Sequence, residues 1–279
     1  MGHYTSAEHW LDGLQGEHMA GIIAARLALL NQGEVASSNL GEALAVDQRA
    51  LIEAVLPGLG VGQQQLAQIL EAFEPVSSKG ISHQISAIGV AVGRVCGHDD
   101  VLMARLRGHT SDTLRSWAAF ADIRSERLGT LAQRLEAARP YAADIHFGVR
   151  EWAWIAARPF IARQLDEAFS LLMAWTSDDD PNVRRFASES TRPRGVWCEH
   201  IGALKDSPEM AEALLSALNR DESRYVQDSV ANWLNDASKT RPDWVWAVCG
   251  RWQIDGDANT KRIITRALRS LRKKQGEGR

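Results

Sequence analysis

Four segments in the second half of the chain register on one another: TLRSWAAFADI, GVREWAWIAARP, NVRRFASESTRP and YVQDSVANWLND. They align on Leu114, Val149, Val183 and Val226, each followed by Arg or Gln, at separations of 35, 34 and 43 residues. In the last three, an aspartate stands six positions before that polar residue: Asp144 before Arg150, Asp178 before Arg184, Asp221 before Gln227. A single unit of this length cannot bury its apolar side alone and does so against its neighbours, so the period defines a stacked array of helical repeats. KRIITRALRSLRKK, 36 or 37 residues beyond the fourth segment, would add one more unit and a cap.

The expected fold is all-α, a HEAT-like repeat α-solenoid (an α-α superhelix) whose concave face is the natural binding surface. The rest of the chain agrees. Residues 6–30 read as a helix or helix pair, with Ser6 as a cap and Trp10, Leu14, Ile22, Leu27 and Leu30 as apolar positions. ALAVDQRALIEAVLPGLG reads as a helix through Leu56, stopped by Pro57, Gly58 and Gly60, and QQQLAQILEAF as another, stopped by Pro75. Residues 178–194 read as one short helix, started by an acidic cluster and a proline and ended by Pro193. There is almost no β signal, no P-loop and no GxGxxG. Without a Gly/Ser or Pro-rich linker, residues 1–279 read as one elongated domain, with 1–100 as an N-terminal helical cap and 101–279 as the repeats.

The net charge of -3 conceals an asymmetry. Residues 1–100 hold 4 Lys/Arg against 11 Asp/Glu, whereas 251–279 hold 9 against 3. Cys96, Cys198 and Cys249 are dispersed, with no CxxC, which argues against a disulfide framework or a structural zinc site. Cys198 and His200 have no further ligands nearby in sequence, so no metal and no cofactor is expected. Glu8, Asp12 and Glu17 stand where a signal peptide needs positive charge, and no run reaches ~18 apolar residues, so no membrane association is expected. The expected location is a bacterial-type cytosol with action at the nucleoid, and a monomer is expected.

Homologous helices of a solenoid turn the same positions to one side. Arg158, Arg192 and Asn235 stand eight residues after Arg150, Arg184 and Gln227, a row that could track a phosphate backbone. By the same register Trp154, Glu189, Asn232, Trp233 and Asp236 fall on neighbouring helices. Bland readings stand beside these. Arg150 and Arg184 could tie the stack together, and Trp233 could continue the buried line Val226, Val230, Trp233, Ala237.

RFASESTRPRGVW together with YVQDSVANWLNDASKTRPDW resembles the AlkC branch of the HEAT-like-repeat DNA alkylation repair family, the AlkD branch being more distant. The resemblance covers about residues 100–255 and implies a monofunctional DNA glycosylase that removes N-alkylated bases such as 3-methyladenine or 3-methylcytosine from double-stranded DNA. It assigns the catalytic carboxylates to Glu189 and Asp236 and a lesion-contacting indole to Trp197. Arg150 and Trp233 match a DNA-contacting arginine and a lesion tryptophan of the AlkD branch. Where the AlkC pattern has a further glutamate, this chain has Trp154, four residues before Arg158-Pro159-Phe160; Glu151 lies one turn earlier and is the candidate substitute. The expected site is thus Asp236, Glu189 and Glu151 as acids, Trp197, Trp233 and Trp154 at the lesion, and Arg150, Arg158, Arg184, Arg192 and Arg194 on phosphates.

These residue types suit the chemistry. A base alkylated at a ring nitrogen already carries positive charge and leaves without protonation, so the enzyme must chiefly stabilise an oxocarbenium-like sugar and position a water at C1′. Carboxylates do both, and an indole face adds about 0.5–2 kcal/mol of attraction for a cation. The alternative is a non-catalytic HEAT-repeat protein that binds damaged, bent or branched DNA, or a scaffold for other proteins.

Overall fold

The computed structural model describes Gly21 and residues 23–277, with side chains through Lys273. Ser6, Trp10, Leu14 and Ile22, expected to start the first helix, lie outside the described residues; positions 23–31 are helical and form α1. There follow α2 (Leu40–Ala45), α3 (Gln48–Leu59), α4 (Gln63–Phe73), α5 (Ile81–Cys96), α6 (Asp100–Arg107), α7 (Asp112–Ile123), α8 (Leu131–Ala142), α9 (Phe147–Arg163), α10 (Leu165–Trp175), α11 (Pro181–Glu189), α12 (Gly202–Asp206), α13 (Glu212–Ala217), α14 (Arg224–Ala237), α15 (Pro242–Asp255), α16 (Ala258–Ala267) and α17 (Arg269–Glu277). No strand occurs among the described residues. The chain divides into two compact units between Ala118 and Ala119, within α7, later than the change at residue 100 expected from sequence.

Local chemistry explains the helix boundaries. Asp47, Asp99, Asp180 and Asp257 each cap a helix by accepting a backbone N–H of its first turn, and Pro181 opens α11 at a position where its missing N–H costs nothing. Two expected ends shift. α3 runs through Pro57 to Leu59, because a proline in the last turn removes the donor of a single carbonyl; the true stop is Gly60, at φ 106, whose N–H donates to Leu56 O. α11 ends at Glu189, four residues before Pro193, with Ser190 as its cap.

In the first unit Leu51, Ile52, Leu56, Ile69, Ile88, Met103 and Trp117 form the core. Burying the Trp117 indole requires a partner for its N–H, and Gln48 Oε1 accepts it at 3.1 Å. Asp112 is likewise satisfied, accepting from Ser37 N and Oγ at 2.8 Å each.

In the second unit α9, α11, α14 and α16 lie in succession, α14 packing on both α11 and α16. One hydrogen-bond pattern recurs at the registered positions. Arg150 Nη1 donates to the carbonyls of Asp144 and Ile145 (2.7 and 3.0 Å), Arg184 Nη1 to those of Asp178 and Asp179 (2.9 and 3.1 Å), and Gln227 Nε2 to those of Asp221 and Glu222 (2.8 and 3.4 Å). Arg115, in the first unit, does the same to His109 and Thr110. Each aspartate of the motif folds the turn itself: Asp144, Asp178 and Asp221 accept from the backbone N–H two residues on, at 2.7–2.9 Å. The motif is therefore a clamp on the turn before each helix. At one step it also links units, where Arg184 Nε and Nη2 reach the two oxygens of Asp221 at 2.6 and 3.0 Å.

A second bond type joins the C-terminal halves of successive helices. Pro159 inside α9 deprives the Ile155 carbonyl of its intrahelical donor. Arg124 covers this region, its Nη2 reaching Ile155 O at 3.5 Å and its Nε Ala156 O at 3.2 Å. Asn235 Nδ2 donates in the same manner to Ala267 O at 3.0 Å.

Candidate active site

The three acids singled out by sequence come from three helices of the second unit and meet in one chain of alternating charge. On α9, Glu151 Oε1 is 2.7 Å from Arg185 Nη2, which lies 3.5 Å from Glu189 Oε2, one turn further along α11. Glu189 Oε1 is 2.6 Å from Arg192 Nη1. Arg192 then grips Asp236 of α14, its Nε and Nη2 donating to Oδ2 at 3.0 and 2.6 Å, and Lys239 Nζ meets Oδ1 at 3.1 Å.

Both central acids sit against the local field. Glu189 and Asp236 occupy the C-terminal turns of α11 and α14, where the helix dipole disfavours negative charge. Neither last turn holds a cation of its own, so Arg192 and Lys239, just beyond the two helices, supply the compensation. Glu189 is nearly sealed, at 3% exposure. Burial pushes its carboxyl up, but Arg185, Arg192 and the Ser229 hydroxyl (2.7 Å from Oε2) outweigh that and hold it below the ordinary carboxylate value. Ser229 in turn shares a 2.8 Å contact with Ser188 Oγ. Exposure rises towards the ends of the chain: 28% for the Glu151 side chain and 48% for that of Lys239, against 7% for Asp236.

Tyr225 closes the Glu151 end. Its ring lies under both Arg185 and Arg150, with guanidinium carbons 4.1 and 5.1 Å from the centroid, and its hydroxyl reaches Glu151 Oε1 at 3.5 Å. Trp154 is buried and donates its indole N–H to Glu151 Oε2 at 2.8 Å. It stands behind Glu151 as an orienting partner; the expected lesion contact is not where its ring lies.

Several expected roles change. Trp233 is fully buried, its N–H 3.0 Å from Thr191 O, so it belongs to the core line and offers no face to a ligand. Arg158 is 2% exposed and spends its guanidinium on three carbonyls. Arg150 and Arg184 are the turn clamps already described, and Arg192 is the link between two acids. The phosphate row expected from Arg150, Arg158, Arg184 and Arg192 is thus a set of internal ties, because each stands where orphaned carbonyls or carboxylates need a donor. Arg194 differs: it is half-buried, and its Nε lacks a hydrogen-bond partner among the described residues.

Trp197 lies at the surface, 44% exposed. It lies in the loop 190–201, five residues beyond Arg192, at φ 61. For a bulky residue the left-handed region costs about 1–2 kcal/mol, and such strain gathers at functional sites. Its ring stacks on Trp152, with centroids 6.0 Å apart and planes at 20°. Arg185, Tyr225, Ser229 and Lys239 complete the cluster. The sequence signals for them are weak: Arg185 stands at i, i+4 to Glu189, and Tyr225 and Ser229 are one turn apart on α14.

The fold is that of a helical-repeat protein in which Glu151, Glu189 and Asp236 join through Arg185 and Arg192, with the strained Trp197 five residues further along the chain from Arg192. Residues 149–266 match the family described as DNA alkylation repair enzyme. The matched span contains all the site residues named above. YhaZ of Bacillus subtilis (strain 168) is 42% identical over 119 residues, which are 43% of this chain and 33% of that protein, so the match spans only about a third of the relative. Among solved structures, the alkylpurine DNA glycosylase AlkC of Pseudomonas fluorescens, bound to DNA containing an abasic site analog, superposes with a TM-score of 0.65 at 23% identity. That match covers 85% of this chain and 66% of AlkC. AlkD2 from Streptococcus mutans superposes with a TM-score of 0.53 at 19% identity, covering 79% of this chain and 97% of AlkD2. At these identities the likeness is one of fold. No helix among the described residues is long and apolar enough to cross a membrane.

Proposed function

We propose that the protein is a DNA glycosylase that hydrolyses the bond between C1′ and an N-alkylated, cationic base in double-stranded DNA, with 3-methyladenine and 3-methylcytosine as candidate lesions. The observation that carries this reading is the convergence of Glu151, Glu189 and Asp236 on one Arg-linked chain, whose Arg192 stands five residues before the exposed Trp197 in sequence. Asp236 is the acid we assign to the reacting centre. Its Oδ2 is fixed by Arg192, while Oδ1 meets the half-exposed ammonium of Lys239, a cation that an oxocarbenium-like sugar can replace. As the C1′–N bond breaks, its electron pair neutralises the base, water adds at C1′, and the carboxylate takes or orients the water's proton.

Glu189 keeps Arg185 and Arg192 in place and supplies fixed negative potential. Glu151 is the outer acid, held by Arg185 and Trp154. Trp197 contributes the indole face, and Arg194, Lys239 and the exposed Arg269 are the cations suited to phosphates. The test is release of 3-methyladenine or 3-methylcytosine from a methylated duplex. Asp236→Asn should lower release by about 10²-fold or more, and release that survives this change intact refutes the assignment.

The engagement of every acid by a cation supports a second reading, a non-catalytic protein that binds damaged, bent or branched DNA. It predicts salt-dependent DNA binding with no base released at any enzyme concentration.

A further inference from the structure

The loop that presents Trp197 is tied at both ends. Ile201 N donates to Pro193 O at 3.1 Å, closing residues 193–201. Arg158, from the last turns of α9, binds this loop at three points: Nη1 to Ser190 O at 2.9 Å, Nη2 to Arg192 O at 2.5 Å and Nε to Glu199 O at 3.1 Å. Ser190 and Arg192 precede Trp197 and Glu199 follows it, so one rigid guanidinium spans the strained residue. A buried cation is expensive to keep unless each N–H has an acceptor, and here the acceptors are loop carbonyls that have no helical donor. The loop is fitted closely to this grip. A Cβ added at Gly195 would come within 3.4 Å of Arg158 Cζ and Nε and 2.1 Å of Cys198 Sγ.

We infer that Arg158 is a positioning residue that holds Trp197 in its strained, exposed conformation, and so sets how the indole meets an alkylated base, without itself touching DNA. The role in base contact rests on the function proposed above; the grip on the loop does not.

Cys198 reports on the loop directly, because it is half-exposed whereas Cys96 and Cys249 are buried. In the full chain, Arg158→Lys keeps the positive charge but lacks the planar fork. Native-state labelling of Cys198 by a disulfide reagent should then accelerate about tenfold, the ratio expected for losing one charge-assisted hydrogen bond. On a duplex containing 3-methyladenine, Trp197→Ala and Arg158→Lys should both raise KM, with Asp236→Asn instead acting on kcat. Arg158→Gln should exceed Arg158→Lys in both readouts. Should either Arg158 variant fail to fold, Gly195→Ala moves the loop with the arginine intact and should likewise speed labelling and raise KM. Unchanged labelling in the folded variants overturns the grip. Accelerated labelling with KM unchanged in the Arg158 variants but raised in Trp197→Ala overturns the link to base contact. No effect of Trp197→Ala on release instead removes the proposed role of the indole, and labelling still decides what Arg158 does.

Discussion

Arg192→Met isolates the energetics of the charge chain. The arginine makes three short bonds, one to Glu189 and two to Asp236, and its side chain is only 14% exposed. Methionine fills similar volume but leaves both acids with one partner fewer. Breaking a buried pair in this manner costs about 3–5 kcal/mol, below the simple sum of three charged hydrogen bonds because the arginine's own desolvation is recovered. For a unit of this size that corresponds to a fall of ~10 °C in Tm. The pH dependence carries the sharper test. In the unaltered protein the folded Glu189 pKa lies below its unfolded value of about 4.3, so its contribution is complete above that value and disappears as pH falls through the folded one. In Arg192→Met, burial is opposed by Arg185 and Ser229 alone, the folded pKa climbs, and the buried charge becomes a burden that grows as pH rises. The gap between the two proteins in urea unfolding should therefore be widest near pH 7 and narrow towards pH ~4. A gap that does not vary with pH, or one under about 1 kcal/mol at neutrality, would refute this account of why Glu189 stays charged in the interior.

Other outcomes follow from the same geometry. Asp221→Asn keeps the turn acceptor for Ser223 but weakens the pair with Arg184, and a double-mutant cycle with Arg184→Gln in chemical denaturation should give a coupling of about 1–2 kcal/mol. Trp233→Phe removes the N–H donated to Thr191 and leaves a small void, so thermal unfolding should show a loss of about 1–3 kcal/mol while base release stays within a factor of about two. If release instead collapses with the fold intact, Trp233 belongs to the reactive centre after all.

The repeat register was legible to the residue. Val149, Val183 and Val226 are all buried, and each is followed by the polar side chain that clamps its turn. The starts of α4 and α11 were legible too, but the run from Ala43 to Leu56, read as one helix, divides at Val46 and Asp47 because the Asp47 side chain caps a new helix there. What sequence misjudged was the duty of the arginines. An arginine's charge is visible in the sequence, but the carbonyls that lack donors are not; they depend on where Pro159 interrupts a ladder and where α11 stops. Glu189 and Asp236 were singled out by motif residues and Glu151 by its place one turn before Trp154, whereas Tyr225 and Lys239 entered only once α9, α11 and α14 lay side by side.

The manner in which Arg124 serves α9 and Asn235 serves α16 bears on how such a molecule can change over generations. α9 and α16 each end on a donor lent by an earlier repeat, so removing a unit at either step would strand unsatisfied peptide groups at the seam. Growth or loss of whole modules should therefore be tolerated best at the outer ends of the array, and segment 190–201, whose carbonyls hold Arg158 and Trp233 and whose Arg192 holds Asp236, should vary little.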